Sequence, residues 1–175
     1  TRFAKTSTAE TLWKNKLLIV LSGPEPQRTI LEEILLTQLP AIKSQIFFVR
    51  GLPGETTFPA LPENIEVVNH LPASSLQAAM QQSEFVLARG GYSTLMDAFA
   101  LQKKCIFVPT PGQTEQEYLC QLLQQKNAAI CFAQSNFQLA NALQQAETFL
   151  FEFPIPADAS MLAAFVQCAL QKLSP

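Results

Sequence analysis

Residues 87–116 read LARGGYSTLMDAFALQKKCIFVPTPGQTEQ. The apolar run Phe85 to Ala88 reads as a buried strand that stops at Arg89-Gly90-Gly91. A helical pattern follows, then a second buried strand from Cys105 to Val108, then the loop Pro109-Thr110-Pro111-Gly112-Gln113. Two polar, glycine-containing loops therefore leave the carboxyl ends of two successive apolar strands. In an open parallel sheet, ligands bind at that edge.

Working outward, Lys16 to Leu21 is a continuous apolar strand broken by Ser22-Gly23-Pro24-Glu25-Pro26. A helix is expected next, with Pro26 in its first turn and Ile30, Leu31, Ile34, Leu35 and Leu39 on its buried face. Ile46 to Val49 and Ile65 to Val68 read as strands, with a Pro- and Gly-rich loop over 52–64 between them. Ser74 to Gln82 reads as a short helix. On the other side, Thr114 to Lys126 reads as a helix with Tyr118, Leu119, Leu122 and Leu123 inward. A short strand, Ala128 to Phe132, and a helix from Ser135 to Phe149 follow. A break at Phe153-Pro154-Ile155-Pro156 precedes a last amphipathic helix, Ala159 to Leu173.

Strands that are apolar throughout and alternate with helices predict a doubly wound α/β domain: a mostly parallel, Rossmann-like sheet of about six strands with helices on both faces. The expected organisation is a linker or entering arm over 1–15, the sheet domain over 16–153 and a C-terminal helix over 154–175. With 175 residues, one core of ordinary size can form. Hydrophobic residues make up 48% and charged residues 15%, which excludes a disordered chain. The net charge of −2, with no basic block, argues against nucleic acid or an anionic membrane surface as partner. No apolar run has the length of a membrane span, and the N-terminus is no signal peptide. A start without methionine reads as a fragment or a processed chain. The four cysteines, Cys105, Cys120, Cys131 and Cys168, lack C-x-x-C spacing and read as reduced thiols of a cytosolic protein. One histidine makes a zinc site an unexpected feature.

Each loop at the crevice edge carries two readings. Ser22-Gly23-Pro24-Glu25 follows the first strand, where such folds place a phosphate against a helix N-terminus; Ser22-x-x-Glu25 also fits a capping box. No G-x-G-x-x-G or Walker pattern is present. In Arg89-Gly90-Gly91-Tyr92-Ser93-Thr94, the paired glycines allow close backbone approach to a ligand or a tight turn, and the following helix start favours an anion. Asp97 is a cap for Thr94 or a carboxylate for two vicinal sugar hydroxyls. Thr114-x-x-Glu117 is another capping option, and Glu115 and Glu117 diverge too far to form an acid–base pair. Gln113 and Gln116 suit hydrogen bonding to a neutral polyol. His70 ends a strand on the same edge, where a lone histidine is more often a structural hydrogen-bonder than a catalyst. Lys103 and Lys104 precede a strand and read as solvated on the opposite edge.

The block from Arg89 through Thr94 and Asp97, followed after a strand by Pro109 and Gln116, resembles the C-terminal domain of family 28 glycosyltransferases, over residues 16–145. The resemblance implies a GT-B fold, of which this chain is the donor-binding half, with the acceptor-activating base in an N-terminal domain. It implies a nucleotide-sugar donor, UDP-linked, direct displacement with inversion, an unassigned acceptor, no cofactor and no required metal. By resemblance, Ser22 and Gly23 meet the diphosphate, His70 and Leu71 grip the base, and Arg89, Gly90, Gly91, Ser93 and Thr94 form the helix-start block near the phosphates. Asp97 falls where the family has a glutamate on the ribose. Gln113 joins Gln116 and Glu117, the latter two matching a Gln-Gln pair on the donor sugar. Cys120 stands where asparagine is common, and Arg2 corresponds to a basic linker residue. A cytoplasmic location follows, peripheral at the inner face of the membrane for the full-length protein. Two alternatives stand beside this: a nucleotide-sugar 2-epimerase-like enzyme, for which only His70 is an acid–base candidate, and a non-catalytic α/β binding module.

Overall fold

The computed structural model describes residues 14–152. Residues 1–13 of the expected arm, with Arg2, and the whole segment 154–175, with its expected helix and Cys168, therefore lie outside the described residues; Asn15, expected in the arm, opens the first strand.

Six strands form one sheet: β1 (Asn15–Val20), β2 (Ile46–Val49), β3 (Ile65–Val68), β4 (Ser83–Ala88), β5 (Lys104–Phe107) and β6 (Ile130–Cys131). Their order is β3-β2-β1-β4-β5-β6, and every pair is parallel. Among the described residues, five α-helices connect them or follow the last: α1 (Gln27–Gln38), α2 (Ala73–Gln81), α3 (Tyr92–Ala100), α4 (Thr114–Gln125) and α5 (Leu139–Thr148). The expected doubly wound Rossmann-like sheet is thus the observed one.

Side chains alternate across the sheet with the two-residue period of a strand. Leu18, Val20, Val86 and Phe107 pack against α2, α3 and α4. Leu17, Ile19, Phe85 and Ile106 pack against α1 and α5. Both faces are covered, which is why the strands are apolar at nearly every position. The order reverses between β1 and β4, since β1 leads outward to β2 while β4 begins the other half. The loops after β1 and β4 diverge there, and a crevice opens at their carboxyl ends.

Three expectations change. In α1 the buried stripe is Arg28, Leu31, Glu32, Leu35 and then Leu39, while Ile30 is exposed. The helix is turned so that a paired Arg28 and Glu32 face β2. Lys103 is buried, not solvated: its ammonium donates to the carbonyls of Gln81 (3.1 Å) and Ser83 (2.9 Å), closing the end of α2. The helix expected from Ser135 is broken. A short 3-10 turn (Gln134–Asn136) precedes α5, whose first amide at Leu139 is met by Gln38 Oε1 at 2.6 Å.

Candidate functional site

Five of the residues singled out from the sequence line one cavity at the crevice, of ≈ 410 Å³. Ser22 and Gly23 come from the loop after β1, His70 and Leu71 from the loop after β3, and Thr94 from the first turn of α3. The wall between them is apolar, with Val49, Pro53 and Leu76. Volume and lining suit a small polar ligand with one flat apolar part. Gly23 holds φ at +105°, a left-handed conformation that few side chains tolerate, so the loop can fold back beside Thr110.

The capping readings fail at all three helices. α1 begins after Pro26, which has no side-chain group to cap it, and its free Thr29 N–H is taken by Glu25 and not by Ser22. Ser22 lies outside that helix, exposed on the cavity, while Glu25 accepts the Thr29 N–H at 3.1 Å and Arg28 Nε at 2.5 Å. α3 begins at Tyr92 behind Gly91, and α4 at Thr114 behind Gln113, each without a side-chain cap. Thr94 therefore sits inside the first turn of α3, half-buried on the cavity, with free N–H groups around it.

Other candidates sit elsewhere. Ser93 is exposed outside the cavity lining, and Asp97 is buried in α3. Arg89 turns away from the crevice and is almost wholly enclosed. Its guanidinium donates to the carbonyls of Val108 (3.2 Å), Pro109 (3.3 Å) and Gln27 (2.5 Å) and to Gln134 Oε1 (2.6 Å). The expectation that this side chain meets phosphate is corrected: it pins the loop after β5 to the start of α1. Burial without a carboxylate pulls its pKa down to about 10.

Gly90 also has a packing reason. A Cβ there would lie 2.7 Å from Cys120 Sγ, so α4 can approach the β4–α3 turn only because position 90 lacks a side chain. Gly91 has ordinary extended backbone and forms the cap of α3. Gln116 and Glu117 hold the loop after β5. Gln116 Oε1 accepts the Thr110 N–H (2.9 Å) and its Nε2 donates to Gln113 Oε1 (2.5 Å), while Glu117 Oε1 accepts the Gly112 N–H (3.0 Å).

Sequence reasoning missed Thr110 and the charge network on the other wall. Thr110 is buried, and its hydroxyl has no hydrogen-bond partner among the described residues. Its nearest relation to the cavity is Gly23, whose added Cβ would stand 4.0 Å from Thr110 Oγ1. Arg28 and Arg50 both donate to Glu32, Arg28 at 2.8 Å, and Arg50 also reaches Asn69 Oδ1 and the Thr57 carbonyl at 2.9 Å each. Burial lowers the Arg28 pKa, but the Glu32 and Glu25 carboxylates outweigh it and leave it raised. These ions fix the loop after β2 that forms one cavity wall. Among the described residues, no group of three or more His, Cys, Asp or Glu could hold a metal ion, and no helix is long and apolar enough to cross a membrane.

Comparison with known proteins matches residues 17–153 to the model of the glycosyltransferase family 28 C-terminal domain. No curated protein sequence gave a match. Among solved structures, the chain is similar to MurG of Acinetobacter baumannii, with 19% identity, 94% of this chain and 46% of that one covered, and a TM-score of 0.58. It is similar to ALG13, at 12% identity over 87% of this chain and 94% of that one, with a TM-score of 0.62. Similarity extends to the glycosyltransferase VinC, solved in complex with DTDP, at 15% identity, 90% and 38% coverage and a TM-score of 0.56. At such identities the likeness concerns the fold. The chain spans 40% of the spinosyn forosaminyltransferase SpnP and 42% of the kitacinnamycin glycosyltransferase.

Proposed function

From the premise that this chain belongs to the glycosyltransferase family 28 C-terminal domain family, we propose that it is the nucleotide-sugar-binding half of an inverting glycosyltransferase with a UDP-linked donor. The observation that carries this reading is the cavity that gathers Ser22, Gly23, His70, Leu71 and Thr94 at the point where the strand order reverses. The base lies against Leu71 and Leu76, held through the backbone of the loop after β3. The diphosphate lies between the Ser22–Gly23 loop and the N-terminus of α3. There the N–H groups and the Ser22 and Thr94 hydroxyls stabilise the charge that grows on the leaving group. The acceptor and the base that activates it belong to a separate N-terminal domain, in keeping with a chain that spans less than half of most of its structural neighbours.

Calorimetric titration of the 175-residue chain with UDP, GDP and dTDP tests the reading. UDP is expected to bind selectively. Thr94→Ala should weaken it about tenfold, the worth of one hydrogen bond to a charged group at its low end. His70→Ala should leave it nearly unchanged, because the grip there is through the backbone. Absence of nucleotide binding both here and in a chain that carries the preceding domain would refute the donor-site assignment.

A further inference from the structure

Among the described residues, three free cysteines share the face of the sheet that α4 covers. Cys105 is wholly buried. Its S–H donates to the Lys103 carbonyl at 3.2 Å, and burial pushes its pKa up. Cys120 on α4 and Cys131 on β6 differ from it. The Cys131 thiol donates to the Cys120 carbonyl at 3.2 Å and lies within reach of the Cys120 side chain. Both also line a groove of ≈ 380 Å³ between α4 and the segment after β6, with Gln121, Gln124 and Ser135 exposed at its mouth. Sulfurs that served only to fill the core would need neither that contact nor that opening.

The two thiols are not equivalent. The pKa of Cys131 is raised, first by its hydrogen bond with Cys120 and then by burial, so this thiol keeps its proton. That casts Cys131 as the resolving thiol and Cys120 as the sulfur that meets an oxidant. Cys120 also has a structural task. A Cβ on Gly90 would stand 2.7 Å from Cys120 Sγ, so the sulfur rests against the turn between β4 and α3. β6 is fixed in the sheet by its pairing with β5 and by the Phe132 N–H on the Phe107 carbonyl (2.9 Å). α4 reaches the neighbouring loop through side chains only, Gln116 to the Thr110 N–H and Glu117 to the Gly112 N–H. Closing the sulfurs to a bond of about 2.0 Å therefore moves α4 and not β6.

We propose that Cys120 and Cys131 form a reversible redox pair whose disulfide draws α4 away from the β4–α3 turn. Hydrogen peroxide, small enough for the groove, is the oxidant. The Cys120 sulfur attacks the O–O bond and becomes a sulfenic acid, releasing one water. The Cys131 sulfur then displaces that hydroxyl, closes the S–S bond and releases a second water. Two thiols and one peroxide thus give one disulfide and two waters, with two electrons passing from the sulfurs to the peroxide. Exchange with a small thiol restores both cysteines. The consequence for ligand rests on the donor-site reading above: with α4 displaced, the Gly90–Gly91 turn and the Thr110 loop lose their support and nucleotide binding weakens.

The test treats the 175-residue chain with a small excess of hydrogen peroxide, alkylates it in denaturant and digests it with trypsin and a glutamate-specific protease. Each of the four cysteines then falls in its own peptide. Peptides 118–126 and 127–147 should be recovered joined, with Cys105 alkylated, and dithiothreitol should part them. In the 15N-labelled chain, without nucleotide, oxidation should shift the amides of Gly90–Thr94. UDP affinity should fall severalfold and return on reduction. Cys131→Ser, lacking the resolving thiol, should hold the sulfenic acid at Cys120, where dimedone captures it. Free thiols at both positions after peroxide, or Cys120 joined to another cysteine, would overturn the pairing. A joined pair with unmoved Gly90–Thr94 amides would overturn the coupling to the turn. Should the reduced chain bind no UDP, the donor-site reading fails alone, because linkage and amide shifts are read without nucleotide.

Discussion

The two halves of the crevice edge are held by different chemistry. Beneath β1, β2 and β3, guanidiniums meet carboxylates: Glu32 bridges the buried Arg28 and the partly buried Arg50, and Arg50 continues to Asn69 and the Thr57 carbonyl. Beneath β4, β5 and β6, the loops are tied by amides and carbonyls. Gln116 binds Thr110 and Gln113, Gln134 Nε2 binds Gln27 Oε1 at 2.9 Å, and the cation Arg89 meets neutral acceptors. The electrostatic consequence is opposite in sign, with Arg28 raised and Arg89 lowered to about 10. Either way the guanidinium is committed to the protein. Arg28, Arg50 and Arg89 brace loops, so among the described residues the crevice offers an anion backbone N–H groups, hydroxyls and the His70 imidazole.

The contrast can be broken at its strongest point. Glu32→Ala leaves the buried Arg28 and the partly buried Arg50 facing each other without their shared carboxylate. It should cost about 3–5 kcal/mol in urea unfolding and speed proteolysis of the loop after β2. Arg89→Met removes a cation of similar burial but strands neutral acceptors only, and the expected cost is about 1–3 kcal/mol. If Arg89→Met proved the more damaging, the distinction between charge-held and amide-held halves would be lost.

A third buried cation extends the comparison to the opposite edge of the sheet. Lys103 caps carbonyls at the end of α2, and burial lowers its pKa to about 8, with the nearby Cys105 opposing that shift. Above pH 8 the folded chain releases this proton, while the unfolded chain holds it up to the ordinary 10.5. The unfolded state therefore binds more protons in that window, and stability from this group rises with pH there by about 1 kcal/mol per unit. Below pH 8 the contribution is constant. Unfolding free energies at pH 8 and 10 should show the rise in the native chain and lose it in Lys103→Met.

These cations also mark where the sequence stops being readable. The sheet was legible because each strand is a short apolar run closed by Gly, Pro or Asn, and Ile46–Val49 and Ile65–Val68 appear with the expected ends. The crevice was legible for the same reason, since strand ends announce their loops. What stayed hidden depends on partners distant in sequence. Arg28 and Glu32, four residues apart, carry no local sign that Arg50 is brought against them. Gln38 reaches across to Leu139 and Phe137 to set the start of α5, a contact no local pattern encodes. Arg89 looked like a phosphate ligand beside two glycines because nothing local reveals the four acceptors behind it.

Thr110 is the finest test of the amide-held half. Its N–H goes to Gln116 Oε1 and its carbonyl accepts the Gln113 N–H at 3.0 Å, yet its buried hydroxyl has no hydrogen-bond partner among the described residues. An unsatisfied buried hydroxyl costs stability, and valine reproduces the shape without it. Thr110→Val should therefore unfold at the same or higher urea concentration, with a gain of at most about 1 kcal/mol. The hydroxyl stands across from Gly23, in the loop assigned to the diphosphate, and a small shift of either loop would let an anion's oxygen accept from it. UDP affinity in the valine variant should then fall a few-fold while stability does not. Equal affinity would give the hydroxyl to loop packing alone, and a loss of both together would mean that Thr110 braces the loop as Gln116 does.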